Sequence, residues 1–156
     1  MRLTEILRPE CVKVPLEATD KRDAVDELVD WLCDQIGISN REELKQAIWE
    51  REQTRTTGIG RGVAIPHGKC DGPDRLVMAV GRPAKPIEFG AIDDRPVDLI
   101  FLLVSPHNQT GPHIQALASI SRMLINAEFR AAVKSAETSA ELYRVITEQE
   151  AKLPTA

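Results

Sequence analysis

The sequence predicts a single α/β domain in which α-helices flank a mixed β-sheet. Stretches with apolar residues at helical spacing occur in both halves of the chain, and short runs rich in Val, Ile and Leu lie between them. A chain of 156 residues with 42% hydrophobic content can bury one core of ordinary size. Because no internal repeat or long linker divides the chain, we expect one domain over residues 1–156.

Two helices are predicted near the start of the chain. The stretch ATDKRDAVDELVDWLCDQIG has apolar residues at helical spacing behind a cap at Thr19 or Asp20, and it ends on Gly37. Ser39, followed three residues later by Glu42, predicts a capping box that opens a second helix. This second helix should run to about residue 52.

Three short runs are predicted as buried strands, because they are rich in Val, Ile and Leu and are bounded by Gly or Pro. They are VAIP, LVMAVG and VDLIFLLVS. The sheet is therefore expected to follow the first two helices.

Two further helices are predicted after the sheet. The stretch GPHIQALASISRMLIN carries Pro112 in its first turn and starts beside His113. Its helical spacing runs through Ile114, Leu117, Ala118, Ser121 and Leu124. The stretch TSAELYRVITEQEAK opens with a capping box from Thr138 to Glu141.

Composition argues against several classes of function. The chain has a net charge of -4 and only 4% aromatic residues. Nucleic-acid binders normally have a basic surface and aromatic side chains that stack on bases, so this composition argues against that class. No apolar run is long enough to span a membrane, and the start MRLTEILRPE is charged where a signal peptide would be apolar. We therefore expect a cytoplasmic protein that does not insert into a membrane. Cys11, Cys33 and Cys70 form no Cys-x-x-Cys pair and are expected to be reduced thiols.

The stretch TTGIGRGVAIPHGKC contains a glycine-rich loop of uncommon spacing. A dinucleotide fingerprint would need Gly at position 63, where Val63 stands, and the P-loop ending Gly-Lys-Ser/Thr is missing. Uncovered backbone N–H groups flanked by Arg55, Arg61 and Lys69 suit an oxyanion. The alternative is that the glycines only turn the chain between a helix and a strand.

His67 follows this loop in a setting that aims its side chain. Pro66 has a fixed φ, and Gly68 allows the backbone to turn away after the ring. The other two histidines, His107 and His113, lie around the end of the most hydrophobic strand and the start of the next helix. Two imidazoles brought together can act as nucleophile and supporting group, which favours phosphoryl transfer.

Metal binding is the rival use of clustered histidines. His67, Cys70, His107 and His113 are the candidate ligands, but their spacing matches no common zinc pattern and no acidic residue lies between Gln53 and Cys70. We therefore expect no metal and no other cofactor. A serine hydrolase is disfavoured because a Gly-x-Ser-x-Gly elbow is missing.

Four segments of the chain resemble a known family. TGIGRGVAIPHGK, PIEFGAIDDRPVDLIFLLVSP, QTGPHIQALASISRML and SAELYRVIT resemble the fructose and mannitol type enzyme IIA domains of the bacterial phosphoenolpyruvate-dependent sugar phosphotransferase system. The nitrogen-regulatory branch is the most similar, and the resemblance covers nearly the whole chain. It implies a mixed sheet flanked by helices, and an activity in which the phosphocarrier HPr, or a paralogue, transfers a phosphoryl group to a histidine.

The resemblance also implies roles for individual residues. His67, in IPHG, stands at the position of the phosphoryl acceptor, His113 matches a supporting histidine, and Arg51 matches an arginine that positions the site. The loop residues expected to contribute to substrate binding are Thr57, Gly60, Arg61 and Gly62.

Two residues depart from the family pattern. Arg61 stands where the family usually has Asn. It could offset the charge of a phosphohistidine if its side chain folds towards His67, or it could be a solvated loop arginine. His107 is the second departure, and we expect it to be exposed and incidental.

Two functions follow from the resemblance. In the first, the chain is a regulator of nitrogen or general metabolism whose phosphorylation state decides which target protein it binds. In the second, it is a transport component that passes its phosphoryl group to a IIB domain for sugar uptake. The motif details favour the regulator.

Overall fold

One mixed β-sheet forms the centre of the structure. In the computed structural model, which describes residues 2–153, this sheet has six strands. They are β1 (Leu7–Leu16), β2 (Gly58–Gly60), β3 (Val63–Ala64), β4 (His67–Lys69), β5 (Val77–Pro83) and β6 (Leu99–Ser105). The strand order is β1-β5-β6-β3-β2, and β4 also pairs with β6. β1 runs parallel to β5, β3 and β4 run parallel to β6, and the pairs β5–β6 and β2–β3 are antiparallel. The predicted mixed sheet is confirmed.

Helices flank the sheet, as predicted. Within residues 2–153 they are α1 (Lys21–Ile36), α2 (Arg41–Thr54), α3 (Thr110–Leu124), α4 (Ala127–Ser135) and α5 (Ser139–Ala151), preceded by a 3-10 turn at Leu3–Glu5. Every residue of β6 is buried. Because successive strand residues point to opposite faces, this burial means that both faces of the sheet are covered. None of the helices in this part of the chain is long and apolar enough to cross a membrane.

The predicted caps of α1 and α5 are confirmed. The Asp20 carboxylate accepts a hydrogen bond from the amide of Asp23 at 2.9 Å, and Gly37 ends the helix with a positive φ of 81°. At α5, the Thr138 hydroxyl accepts from the amide of Glu141 at 3.1 Å, whereas the Glu141 carboxylate accepts from the amide of Glu137 at 2.7 Å, so only the Thr138 half of the predicted capping box is present. These caps satisfy backbone groups that the helices themselves leave unpaired.

The capping box predicted for the second helix is wrong. Asn40 occupies the cap position of α2, so Ser39 stands one residue too early to cap it. Asn40 makes no side-chain capping bond with any described residue, and the Glu42 carboxylate accepts instead from Lys45 at 3.4 Å. The helix also runs two residues beyond the predicted end, to Thr54.

The apolar face predicted for α3 is rotated by one residue. The buried residues of this helix are His113, Ala116, Ser119, Ile120, Met123 and Leu124. Ile114 is 59% exposed, and Ala118 and Ser121 are also exposed. Because apolar residues lie on more than one side of this helix, spacing alone could not identify the inner side. The rotation turns His113 inwards and Ile114 outwards.

The sequence prediction missed β1, α4 and the short strands β2 and β4, and the predicted strand VAIP is a strand only at Val63–Ala64. β1 precedes the first helix, so the expectation that the sheet follows both helices is wrong for this strand. Its pairing with β5 shifts register between Leu7 and Val12, where Arg8, Pro9 and Glu10 are exposed. This irregularity hides the alternation by which a strand is recognised. α4 is short and buries only Phe129 and Val133.

A buried carboxylate joins the two ends of the described chain. Glu150, in α5, accepts hydrogen bonds from the amide of Leu3 and from the amide and hydroxyl of Thr4, the latter two at 3.2 and 3.0 Å. Arg2 donates to the Glu150 carbonyl at 3.2 Å. Glu150 is only 6% exposed and Leu3 is fully buried, so the Leu3 amide has little access to water as an alternative partner.

We expect Glu150→Ala to lower the free energy of unfolding by about 1–3 kcal/mol, because it leaves the buried Leu3 amide unpaired. Urea denaturation measures this change. Glu148→Ala is the matched control, since Glu148 is 65% exposed and lies 3.9 Å from Arg144; its effect should stay below about 1 kcal/mol. Equal effects of the two substitutions would contradict a structural role for Glu150.

Candidate active site

His67 begins β4, and its backbone is placed by β6. It pairs with Leu103 in a parallel ladder, and the amide of Leu103 donates to the carbonyl of Pro66 at 3.0 Å. Gly68, the next residue, packs against α2, where an added Cβ would lie 2.7 Å from Cγ1 of Ile48. A glycine is therefore needed for close packing at this position. His67 itself is half-buried.

The His67 ring has a defined tautomer. Its Nδ1 lies 2.9 Å from the carbonyl oxygen of Ile65. A carbonyl oxygen can only accept, so Nδ1 carries the proton and Nε2 keeps its lone pair in the neutral ring. Burial lowers the pKa of His67 below the ordinary histidine value; the Arg51 charge acts in the same direction, whereas the Ile65 hydrogen bond and Glu52 oppose it. The ring is thus a neutral nucleophile near pH 7.

His113 lies beside His67, as the sequence predicted for a second imidazole. The ring centroids are 4.9 Å apart and the rings meet edge to face at 65°. Burial, followed by the nearby charges of His67, Lys69 and Arg51, lowers the pKa of His113 to about 4. Its Nδ1 is buried and has no hydrogen-bond partner among residues 2–153. A ring nitrogen of the neutral His113 is therefore still available for a hydrogen bond next to His67.

His107 is separate from this pair. Its side chain is 65% exposed, and Nε2 lies 3.5 Å from Oδ1 of Asp71. The expectation that His107 is exposed is confirmed.

Arg51 and His67 line the same open cleft of about 230 Å³. Nη1 of Arg51 donates to the carbonyl of Arg55 at 3.0 Å, which holds the guanidinium at the end of α2. The apolar part of the wall consists of Ile59, Ile65, Ile92 and Leu117. Arg51 is thus the predicted site arginine that the structure brings to His67.

Thr57 lies in the wall of this cleft and is held by hydrogen bonds to the buried carboxylate of Glu52. Its amide donates to Oε2 of Glu52 at 2.8 Å, and its hydroxyl donates to Oε1. Nζ of Lys21 lies 3.0 Å from the same carboxylate. The sequence prediction missed Glu52 and Lys21. Leu44, Ile48 and Glu52 recur every four residues on the buried side of α2, and this spacing could have marked the glutamate.

The glycine loop is a turn that packs against carboxylates of the chain itself. Gly60, Arg61 and Gly62 all have positive φ, at 98°, 60° and 80°. The amide of Arg61 donates to Oδ2 of Asp93 at 2.9 Å, and an added Cβ at Gly62 would lie 2.7 Å from Oδ1 of Asp98. The Arg61 amide is therefore engaged within the chain, which favours the alternative that the glycines turn the backbone.

The side chain of Arg61 does not take the direction that would offset charge at His67. Its Nη1 donates to the carbonyl of Leu124, at the end of α3, at 3.2 Å. There it lines a different cavity, with Asp98, Phe129 and Arg130. The carboxyl end of a helix attracts cations, which explains this orientation. Arg61 is thus the predicted substrate-binding residue that the structure leaves apart from the cleft.

Within residues 2–153, the histidines and cysteines form neither a group that could hold a metal ion nor a disulfide. In that range, no three His, Cys, Asp or Glu residues form a group that could hold a metal ion. Cys11, Cys33 and Cys70 are free and buried, which confirms the expectation of reduced thiols. Burial raises the pKa of Cys33 to about 11, so its thiol stays protonated and unreactive.

The chain is similar to known proteins over nearly its whole length. The family model for "Phosphoenolpyruvate-dependent sugar phosphotransferase system, EIIA 2" matches residues 5–149. A nitrogen regulatory protein of Klebsiella oxytoca is 34% identical over 151 residues, which cover 95% of this chain and 91% of that protein. A fructose-specific EIIABC component of Bacillus subtilis (strain 168) is 29% identical over 150 residues, which cover 96% of this chain but 24% of that protein.

Among solved structures, the nitrogen regulatory protein IIA-Ntr from Neisseria meningitidis has the same fold, with a TM-score of 0.84. It is 28% identical in sequence, and the match covers 92% of this chain and 98% of that one. The resemblance inferred from the sequence motifs is confirmed, and the chain belongs to the EIIA type 2 family of the phosphoenolpyruvate-dependent sugar phosphotransferase system.

Proposed function

We propose that this protein is a histidine phosphocarrier that accepts a phosphoryl group on Nε2 of His67 from HPr or a nitrogen-type paralogue of HPr. The observation that carries the proposal is the 2.9 Å hydrogen bond from Nδ1 of His67 to the Ile65 carbonyl. It leaves Nε2 as the unprotonated atom of a half-buried ring in the wall of an open cleft.

The transfer step needs little from the protein beyond position and charge. The Nε2 lone pair attacks the phosphorus of the donor phosphohistidine, the donor P–N bond breaks, and its electron pair returns to the donor nitrogen. The proton stays on Nδ1 of His67, hydrogen-bonded to the Ile65 carbonyl, and the attacking Nε2 carries no proton, so His67 needs no separate base. Donor nitrogen, phosphorus and Nε2 must lie nearly in line, which the fixed ring orientation favours.

Arg51 and His113 support the phosphoryl group in this proposal. A phosphohistidine adds a charge of roughly -1.5 to -2 near neutral pH. Arg51 places a cation in the same cleft, and the neutral His113 ring, 4.9 Å from His67, can donate a hydrogen bond to a phosphoryl oxygen. Thr57 forms part of the cleft wall, and Gly60 and Gly62 turn the chain between β2 and β3.

The surroundings of His67 suit a protein donor. Ile59 and Ile92 line the cleft and are 39% and 68% exposed, and Ile114 on α3 is 59% exposed. Apolar side chains around a charged centre are typical of protein–protein interfaces. HPr or its nitrogen-type paralogue is the proposed donor, and the proposed place of action is the cytoplasm.

We propose regulation as the main role: the phosphorylation state of His67 decides which target protein the chain binds. The similarity over nearly full length to a nitrogen regulatory protein supports this role. The alternative is sugar uptake by transfer to a IIB domain, which the similarity to a fructose-specific EIIABC component favours. Mixing the phosphorylated protein with a purified fructose-type IIB domain discriminates them, since fast transfer is expected only of a transport component.

Labelling tests His67 as the acceptor. With phosphoenolpyruvate, enzyme I and a phosphocarrier, we expect one acid-labile modification, which His67→Ala abolishes. His107→Ala is the control and should keep full labelling, because His107 is exposed and apart from the cleft. Undiminished labelling of folded His67→Ala would refute the assignment.

NMR titration tests the protonation states that the mechanism requires. Because burial lowers both pKa values, His67 should titrate below about 6.5 and His113 near 4. The nucleophilic neutral form of His67 is therefore lost only as the pH falls through its lowered pKa. A His67 midpoint above the ordinary histidine value would contradict the proposed environment.

Two arginine substitutions separate the contributions of Arg51 and Arg61. Arg51→Gln should shift the phosphoryl equilibrium towards the donor by up to about fivefold, equivalent to about 1 kcal/mol. Arg61→Asn should leave it unchanged, because the Arg61 guanidinium is bound at the Leu124 carbonyl. The ratio of phosphorylated to free protein against a fixed donor pool, at low salt, measures both. A larger effect of Arg61→Asn would show that Arg61 reorients towards the phosphoryl group.

A further inference from the structure

Glu52 is a buried carboxylate that binds Thr57, a residue in the wall of the cleft. Its side chain is only 2% exposed. It accepts from the Thr57 amide at 2.8 Å and from the Thr57 hydroxyl, and it pairs with Nζ of Lys21 at 3.0 Å. A buried charge needs such partners to be tolerated, so the position of Thr57 is tied to that of Glu52.

Two more hydrogen bonds continue this connection to the His67 ring. The Thr57 carbonyl accepts from the amide of Ile65 at 3.0 Å, and the Ile65 carbonyl accepts from Nδ1 of His67 at 2.9 Å. The backbone of Thr57 thus holds Ile65, and Ile65 holds the ring.

Lys21 is itself held by Phe89, in the segment between β5 and β6. Its ammonium group donates to the carbonyl of Phe89 at 3.1 Å and lies 4.8 Å from the centroid of the Phe89 ring. Thr56 donates its hydroxyl to the same carbonyl at 3.2 Å. The ion pair therefore joins the start of α1, the end of α2 and the segment that leads into β2.

We propose that Glu52 and Lys21 are positioning residues for phosphoryl transfer, which hold the His67 ring in its Nδ1–H tautomer and orientation through Thr57 and Ile65. This inference rests on the proposed function of His67. Neither residue needs to touch the phosphoryl group. Because a displacement of about 1 Å at a reacting atom can slow a reaction about 100-fold, a support at this distance can control the rate.

The test compares Glu52→Gln with a matched control. Glutamine keeps the shape of the side chain but removes the charge that binds Lys21 and Thr57. Glu27→Gln is the control, because Glu27 also pairs with a lysine, Lys13, at 2.8 Å. Glu27 likewise accepts from two backbone amides, those of Glu17 and Ala18. Lys21→Met is a second variant, which keeps the carboxylate and its hydrogen bonds from Thr57, and it replaces Glu52→Gln if that protein fails to fold.

Two readouts separate positioning from general stability. Nitrogen-15 NMR of the unphosphorylated protein reports the tautomer of His67, and rapid-quench kinetics report the rate of phosphoryl acceptance at saturating phosphorylated HPr. In Glu52→Gln we expect a mixture of His67 tautomers and a rate of phosphoryl acceptance reduced about tenfold. The dependence of the rate on HPr concentration should be unchanged. Lys21→Met should change both readouts in the same direction, and Glu27→Gln should change neither.

A folded Glu52→Gln protein with the original tautomer and rate would overturn the proposal, as would an equal loss in Glu27→Gln. The tautomer is measured without phosphoryl transfer. If the unsubstituted protein accepted no phosphoryl group on His67, the proposed function would fail whatever the tautomer result.

Discussion

The hydrogen bond between Nδ1 of His67 and the Ile65 carbonyl is the interaction on which the site depends. It decides which ring nitrogen is free, and it fixes the ring relative to the strand that carries it. The bond is possible because Pro66 lies between the two residues in a segment anchored on both sides, by Thr57 at Ile65 and by Leu103 at Pro66. The parallel pairing of β4 with β6 and the Thr57–Ile65 hydrogen bond are therefore conditions for this orientation of the ring.

Burial supplies the second condition, a neutral ring. It lowers the pKa of both His67 and His113, and the close approach of the two rings adds to the effect at His113. The buried face of α3 is rotated by one residue from the predicted one. His113 therefore faces the site, and Ile114 lies on the surface. An imidazole beside His67 and an exposed apolar side chain thus come from neighbouring positions on one helix.

The sequence was sufficient to predict the mixed sheet, the main helices, and the meeting of His67 with a second imidazole, because these depend on local patterns and on strand ends that share one edge of a sheet. It was insufficient for β1, whose exposed residues between Leu7 and Val12 break the alternation of a strand. The spacing of Leu44, Ile48 and Glu52 could have marked Glu52 as buried, but its partners Lys21 and Thr57 are set by tertiary packing. The orientation of Arg61 is likewise decided by the end of α3, more than 60 positions along the chain.

The most direct measurement is the identity of the phosphorylated nitrogen. Phosphorus–nitrogen couplings in nitrogen-15-labelled protein, phosphorylated through its donor, assign the P–N bond to one ring atom. The account predicts Nε2 of His67, with the proton on Nδ1 still hydrogen-bonded to the Ile65 carbonyl. Phosphorus on Nδ1 of His67, or on His113, would contradict it.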